Sequence, residues 1–331
     1  MTPTTEGHGM YIDGLECSVY DREVFQELRD GGLTCVTTTL AFWENAGETM
    51  DEIGRWRDME RDNADLITIA RTADDIEAAH ASGRTAILLG TQNSSPIDDR
   101  IRYVELFHDM GLRVMQLTYN NQNAVGGSCY EPEDSGLTRF GREVVREMNR
   151  LGMVVDLSHV GERTGLDAIE ESEGPVAVTH ANARSLYEHP RNKGDELLHA
   201  LAAKGGMIGL ATYRNISGPY AESRASWCDM VRRTVDIVGL DHVGIGTDLS
   251  RKSGEPELQW MRKGRWTRTT QYGAGSPGNS GKAKPVEFMS STRDFPALAE
   301  CLTNDAGFTE SETAQLMGGN WMRFYRSVLK G

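Results

Sequence analysis

The hydrophobic positions of the chain fall into short runs separated by amphipathic stretches. The runs are Met10–Asp13, Thr34–Thr39, Thr85–Leu89, Leu112–Leu117, Met153–Asp156, Val176–Thr179, Met207–Leu210 and His242–Gly246. Each is short and several are rich in β-branched residues, which predicts strands. A further strand is predicted at Leu66–Ala70. Between the runs, Asp21–Gly31 places Phe25 and Leu28 on one helix face, and Leu137–Leu151 does the same with Phe140, Val144, Val145 and Met148. Ser95–Asp109 carries Ile97, Ile101, Val104 and His108 in the same spacing. Glycines at 83, 111, 152 and 205 stand where a helix would end in a left-handed residue.

Strands alternating with helices predict a parallel sheet with crossover helices, and eight is the number that closes a barrel. The expected fold is α/β, a (β/α)8 TIM barrel. A doubly wound open sheet is the alternative, but polar residues follow most of the strands instead of clustering at one switch point. No repeat or linker divides the chain, so residues 1–331 read as one barrel domain. The segment 251–285 breaks the rhythm with Gly, Ser and basic residues, and reads as a lid or insert, or else as a disordered loop.

Composition narrows the function classes. The 331 residues carry a formal net charge of -14, which argues against a nucleic-acid or anionic-membrane partner, since those need basic patches. The cluster Arg262-Lys263-Gly264-Arg265 is short enough to be a solvated loop. Cysteines at 17, 35, 129, 228 and 301 are odd in number and irregularly spaced, without a CxxC, as expected for reduced thiols in the cytoplasm. The first ten residues are polar and lack a signal-peptide pattern, and no window is apolar enough to span a membrane. A small-molecule substrate is the expected partner.

The active site of such a barrel lies past the C-terminal ends of its strands. There the sequence places Leu15-Glu16-Cys17, Gln92 and Asn93, Tyr119, Asn120 and Asn123, Ser158-His159, His180 and Asp248. Two histidines after consecutive strands can hold a divalent metal such as zinc; hydrogen-bonded structural histidines are the other reading. Asp248, in Gly244-Ile245-Gly246-Thr247-Asp248, can bind a metal or an ammonium group, shuttle a proton, or cap a helix. Asp156 is placed to orient His159 or another neighbour. Arg191 offers a guanidinium fork for a carboxylate, or a surface ion pair. The remaining histidines, 8, 80, 108, 189, 199 and 242, read as surface or packing residues.

Several runs together resemble the membrane (renal) dipeptidase family. They are Val154-Val155-Asp156-Leu157-Ser158-His159-Val160, Thr179-His180-Ala181-Asn182-Ala183-Arg184-Ser185-Leu186, His189-Pro190-Arg191-Asn192, Gly244–Asp248, Leu137–Val145 and Gly318–Arg323. The resemblance runs in order over nearly the whole chain and implies an amidohydrolase-like, metallo-dependent hydrolase barrel. It also implies dipeptide hydrolysis at two zinc ions. A His-x-Asp pair after the first strand holds one zinc, a Glu bridges both, and two histidines hold the second. A further His stabilises the oxyanion, an Arg takes the substrate carboxylate, and an Asp takes the amino group.

By that resemblance the second-zinc ligands are His159 and His180, the Arg is Arg191 and the Asp is Asp248. The other positions depart. The His-x-Asp pair becomes Leu15 and Cys17, the bridging Glu becomes Gln92, and the oxyanion His becomes Tyr119. The chain thus resembles a divergent branch lacking the first-zinc ligands and the bridging Glu. Leu has no donor atom, and neutral Gln cannot bridge two cations. Glu16 stands one residue out of place, which on a strand turns it to the other face.

The expectation is a hydrolase of a small peptide-like or amino-acid-derived substrate bearing a carboxylate, with at most one Zn2+. Its ligands would be His159 and His180 with Gln92, its catalytic residues Asp248 and Tyr119, and its substrate-binding residues Arg191, Asn123 and Cys17. A metal-free or non-hydrolytic enzyme on a modified amino acid, or a binding protein without turnover, would keep the same pocket. Whether the family's homodimer forms is left open; Trp227, Trp260 and Trp266 are the residues a partner could bury.

Overall fold

The computed structural model describes residues 9–269, 283–284 and 286–330. Most of the N-terminal stretch read for a signal peptide, and much of 251–285, lie outside the described residues.

Nine strands all pair in parallel: β1 (Tyr11–Glu16), β2 (Leu33–Thr39), β3 (Ile67–Ile69), β4 (Thr85–Thr91), β5 (Leu112–Gln116), β6 (Val154–Asp156), β7 (Ala177–Ala181), β8 (Met207–Leu210) and β9 (Val243–Ile245). Pairing of β2 with β4 and of β9 with β1 closes eight of them into a barrel. β3 covers the first half of one edge of β4, and β5 takes the second half of that edge. The extra strand at 66–70 is therefore real but stands outside the ring.

Strand alternation sorts side chains into two layers. Ile12, Cys35, Ala86, Leu88, Val114, Val154, Ala177 and Met207 fill the barrel together with Trp321, Phe324 and Tyr325 of the helix Asn320–Val328. Their neighbours Tyr11, Val36, Ile87, Met115, Val155, Val178 and Ile208 pack under the surrounding helices. Trp321 stacks on Tyr325 with centroids 5.4 Å apart and donates from Nε1 to the Ile245 carbonyl at 2.9 Å. Gly244 permits this approach, since a Cβ there would sit 2.5 Å from the indole nitrogen.

Helix Arg22–Asp30 starts at Asp21, whose side chain accepts from the Val24 amide at 3.0 Å, and it buries Phe25 and Leu28 as the spacing predicts. Helix Arg139–Leu151 is capped by Thr138 and stops at Gly152, at φ +76°. The expected helix Ser95–Asp109 is two pieces. Asp98, at φ +49°, breaks it after a 3-10 turn at Ser95–Ile97, and the helix resumes at Arg102–Met110. Ile101 consequently leaves the apolar stripe and is 36% exposed.

Two further expectations change. Trp227 is wholly buried in the chain's own core, its Nε1 donating to the Ala211 carbonyl at 3.0 Å, so it has no surface to offer a partner. Arg262 belongs to no solvated loop: it lies buried in the last turn of a helix, Glu255–Lys263.

Candidate functional site

Past the strand ends lies a cavity of about 410 Å³. Cys17, Gln92, Tyr119, His159, Arg191 and Asp248 line it. Leu258, Met261 and Arg262 of the helix Glu255–Lys263 line it as well.

The end of β1 behaves as its alternation predicts. The Cys17 thiol reaches the Asp248 carboxylate, Sγ to Oδ1 at 3.6 Å. Glu16 turns away from the cavity, accepting from Ser18 Oγ at 3.1 Å and Tyr20 hydroxyl at 3.2 Å. Burial, then the neighbouring Asp13 carboxyl, holds its carboxyl well above the usual range.

The histidines meet directly. His159 Nε2 lies 3.1 Å from His180 Nε2. His159 Nδ1 meets Asn120 Oδ1 at 2.7 Å, an acceptor that requires the proton on Nδ1. His180 Nδ1 meets Thr179 Oγ1 at 2.9 Å, and that hydroxyl donates to Asp156 Oδ2 at 2.7 Å. Thr179 therefore accepts from His180, and Asp156 orients His180 through Thr179. Asp156 also accepts from Ser158 Oγ at 2.6 Å and from the amides of Ser158 and Thr179, both at 3.0 Å. Burial, then the Arg191 charge, pushes both imidazoles well below 6.5, so both are neutral. Two Nε2 lone pairs thus face each other across 3.1 Å. That contact is repulsive unless a cation lies between them. A tetrahedral zinc with Zn–N of about 2.0–2.1 Å would hold two ring nitrogens about 3.3 Å apart, so the pair suits two donors of one ion.

The donors of a second ion are missing. Leu15 supplies no ligand atom, and Glu16 faces the wrong way. Gln92 donates its Nε2 to Thr39 Oγ1 at 3.0 Å. Among the described residues no three His, Cys, Asp or Glu side chains form a group able to hold a metal. The residues fit one ion on two imidazoles and do not fit a two-zinc centre.

Arg191 is anchored on main-chain carbonyls, donating to Ser158 and, from Nη2 at 3.0 Å, to His180. Among the described residues no carboxylate pairs with it, so its charge is left to face the cavity. Asp248 sits at φ +60°, with its amide bonded to the Leu15 carbonyl at 3.1 Å. Burial raises its carboxyl to about 6, although Arg191 and the Cys17 hydrogen bond pull it down. Tyr119 lies against His159, ring centroids 4.3 Å apart and planes tilted by 35°, and packs against Phe42 and Trp43. Burial raises its phenol well above 10, so it remains a proton donor in hydrogen bonds.

Two expected residues sit elsewhere. His180 is wholly buried and does not line the cavity; it reaches the site through His159. Asn123 is used up in its own loop. Its Nδ2 donates to Asn93, Ser94 and the Leu117 carbonyl at 2.9–3.0 Å, and its Oδ1 accepts from the Val125 amide at 2.8 Å. It braces its loop and does not line the cavity.

Sequence reasoning placed Asn120 past its strand without a role, and it orients His159; it read His189 as a surface or packing residue, and its Nδ1 accepts from the Arg191 amide at 3.1 Å. Sequence reasoning passed over Tyr130 and Tyr213, which line the cavity. His189 adjoins Arg191 and could have been found by position. Tyr213 stands three residues past β8 and could have been found by position as well, whereas Tyr130 is brought in by a loop.

The family model described as "Membrane dipeptidase (Peptidase family M19)" matches residues 12–259. The chain is 32% identical over 210 residues to dipeptidase verJ of Clonostachys rogersoniana, covering 63% of this chain and 54% of that protein. It is 34% identical over 193 residues to the uncharacterized dipeptidase C965.12 of Schizosaccharomyces pombe, covering 56% of this chain and 46% of that one. The chain thus spans about half the length of these curated relatives. Among solved structures, an amidohydrolase from Pseudomonas aeruginosa superposes with a TM-score of 0.90, 37% identity and 97% coverage of both chains. A Rhodobacter sphaeroides metallopeptidase, liganded with a phosphinate mimic of L-Ala-D-Ala, shares the fold at a TM-score of 0.78 and 20% identity, covering 97% of this chain and all of that one. The ordered motifs, the closed barrel and the extent of the family match lead to one conclusion: the chain belongs to the membrane dipeptidase family, peptidase family M19.

Proposed function

We propose that the chain is a dipeptidase-like hydrolase of a small, carboxylate-bearing peptide or amino-acid derivative, working with a single metal ion on His159 and His180. The observation that carries this reading is the pair of neutral imidazoles with both Nδ1 atoms occupied and both Nε2 atoms aimed at each other. A divalent ion bound there would supply Lewis acidity and a water of lowered pKa.

The chain's own groups supply the rest. Arg191 docks the substrate carboxylate through its remaining N–H groups. Asp248 holds the substrate ammonium and accepts a proton, with the Cys17 thiol steadying its Oδ1. Tyr119 donates to the oxyanion as it forms. The helix Glu255–Lys263 acts as a lid that keeps water out. It is tied to the loop after β2, Trp260 Nε1 donating to Glu44 Oε1 at 2.6 Å and Trp43 Nε1 to the Met261 carbonyl at 3.2 Å. A cytoplasmic setting suits the five free cysteines.

The test is metal analysis of protein purified without chelator, together with a screen of dipeptides, N-acyl amino acids and methylated amino acids. The expected result is about one metal equivalent per chain and turnover lost in Asp248→Asn. Turnover with less than about 0.2 equivalents would overturn the metal. It would favour acid–base work by His159 and Asp248, which the missing bridging carboxylate at Gln92 also suits. Tight binding without turnover would make the chain a binding protein.

A further inference from the structure

Two buried carboxylates make the same set of bonds. Asp156 on β6 pairs with Ala177 on β7. Its Oδ1 accepts from the Ser158 and Thr179 amides, both at 3.0 Å, and its Oδ2 from the Thr179 hydroxyl at 2.7 Å. Asp13 on β1 pairs with Ile245 on β9. Its Oδ1 accepts from the Leu15 amide at 3.3 Å and the Thr247 amide at 2.8 Å, and its Oδ2 from the Thr247 hydroxyl. Each aspartate thus grips a threonine two residues past its partner on the neighbouring strand. The residue after that threonine is His180 in one case and Asp248 in the other.

The second grip closes a strained turn. Asp248 sits at φ +60°, a conformation that residues other than glycine keep only where their surroundings impose it. Three successive amides are fixed there: Thr247 on Asp13, Asp248 on the Leu15 carbonyl at 3.1 Å, and Leu249 on Thr247 Oγ1 at 3.1 Å. The Thr247 carbonyl accepts from Thr212, from its amide at 3.1 Å and its hydroxyl at 3.0 Å. Asp13 and Thr247 are both wholly buried, so water cannot replace the bond between them. Held in this way, Asp248 turns Oδ1 to the Cys17 thiol at 3.6 Å, and both residues line the cavity.

We propose that Asp13 is a positioning residue: through the Thr247 hydroxyl it holds the Asp248 carboxylate on Cys17 and facing the cavity. Its effect on turnover rests on the role proposed for Asp248; the placement of the carboxylate does not.

The test reads alkylation of Cys17 by iodoacetamide at pH 8, followed peptide by peptide in a mass spectrometer. That pH lies above the values of about 7 and about 6 to which burial raises Asp13 and Asp248. A carboxylate beside a thiol opposes the thiolate, so Asp248→Asn should speed alkylation at least about threefold. Thr247→Val, which removes only the hydroxyl, should speed it as well, and Thr247→Ser should stay at the wild-type rate. Thr247→Val should add nothing in an Asp248→Asn background, and Asp13→Asn should have less effect beside Thr247→Val than alone. Cys129, the other partly exposed thiol, should keep its rate throughout. Thermal melts check the fold, with Thr247→Ala as the second variant lacking the hydroxyl. Turnover of Ala-Ala should fall at least about tenfold in kcat/KM in Thr247→Val and recover in Thr247→Ser.

A Cys17 rate unchanged in Asp248→Asn or in Thr247→Val overturns the proposal. So does a matching rise at Cys129, or a Thr247→Val effect that persists without the Asp248 carboxylate. An Asp13→Asn effect of equal size with and without the hydroxyl would mean that Asp13 acts on Cys17 by charge alone, and undiminished turnover in Thr247→Val would deny the positioning any use. Absence of Ala-Ala turnover in the wild type, with the alkylation pattern as expected, removes the hydrolase reading and leaves the positioning of Asp248 standing.

Discussion

His180 receives its orientation from Asp156 at one remove: the Thr179 hydroxyl accepts from His180 Nδ1 at 2.9 Å and donates to Asp156 Oδ2 at 2.7 Å. With Asn120 acting likewise on His159, both Nε2 lone pairs are committed to one point. Thr179→Val removes that relay while keeping the side chain's shape. Metal affinity, read by competition with a chromogenic chelator, should fall about 10–100-fold. An unchanged affinity would mean the relay does not set the tautomer.

Asp248 titrates from a carboxyl raised to about 6 by burial. In the proposed role its ionised form holds the ammonium and accepts a proton, so kcat/KM should rise with pH through about 6 and level off above it. Asp248→Asn should abolish activity. Arg191 lowers the Asp248 pKa, so in Arg191→Met the residual rising limb should move to higher pH. A limb that stays put would assign the titration to another group.

Tyr119→Phe keeps the ring on His159 and removes only the hydroxyl. If that hydroxyl meets the oxyanion, kcat should drop about 100-fold or more with KM little changed. A rise in KM alone would make Tyr119 a packing residue for the substrate.

Glu27 joins the segment after Asp248 to the rest of the barrel, bonding Arg251 at 2.6 and 2.8 Å and Arg293 at 3.2 Å. The Arg251 hydrogen bond is the main reason its carboxyl lies below the usual range. A lowered folded pKa means stability that is present above the unfolded carboxylate value and lost as pH falls through the folded one. In urea melts, Glu27→Gln should therefore be less stable than wild type at pH 7. The gap should close as pH falls below the usual carboxylate range; a gap independent of pH would deny the ion pair its role.

Trp321 is wholly buried inside the barrel, against Gly244 and the Ile245 carbonyl. Trp321→Ala should cost about 3–5 kcal/mol of unfolding free energy, read from the shift in urea midpoint. A cost under about 1 kcal/mol would show that the interior repacks.

The sequence by itself determined the barrel. Short apolar runs rich in β-branched residues, alternating with helical stripes and closed by glycines such as Gly152, are local signals, and local signals survive without tertiary context. Motif order likewise brought His159 and Asp248 to the strand ends and Arg191 to the loop after β7, and the one-residue displacement of Glu16 already implied that it faces away. What lay beyond reach depends on where loops return in space. Asn123 follows a strand like its neighbours, but the conformation of its loop spends every polar atom on backbone and side chains nearby. The break at Asp98 is a single left-handed residue inside an otherwise helical pattern. Only the tertiary structure could set His180 behind His159 at 3.1 Å, bring Arg262 from a helix distant in sequence into the same cavity as Arg191, and leave Gln92 bonded to Thr39. These are distances between segments far apart in the chain, set by closure of the ring and not by any residue's own propensity.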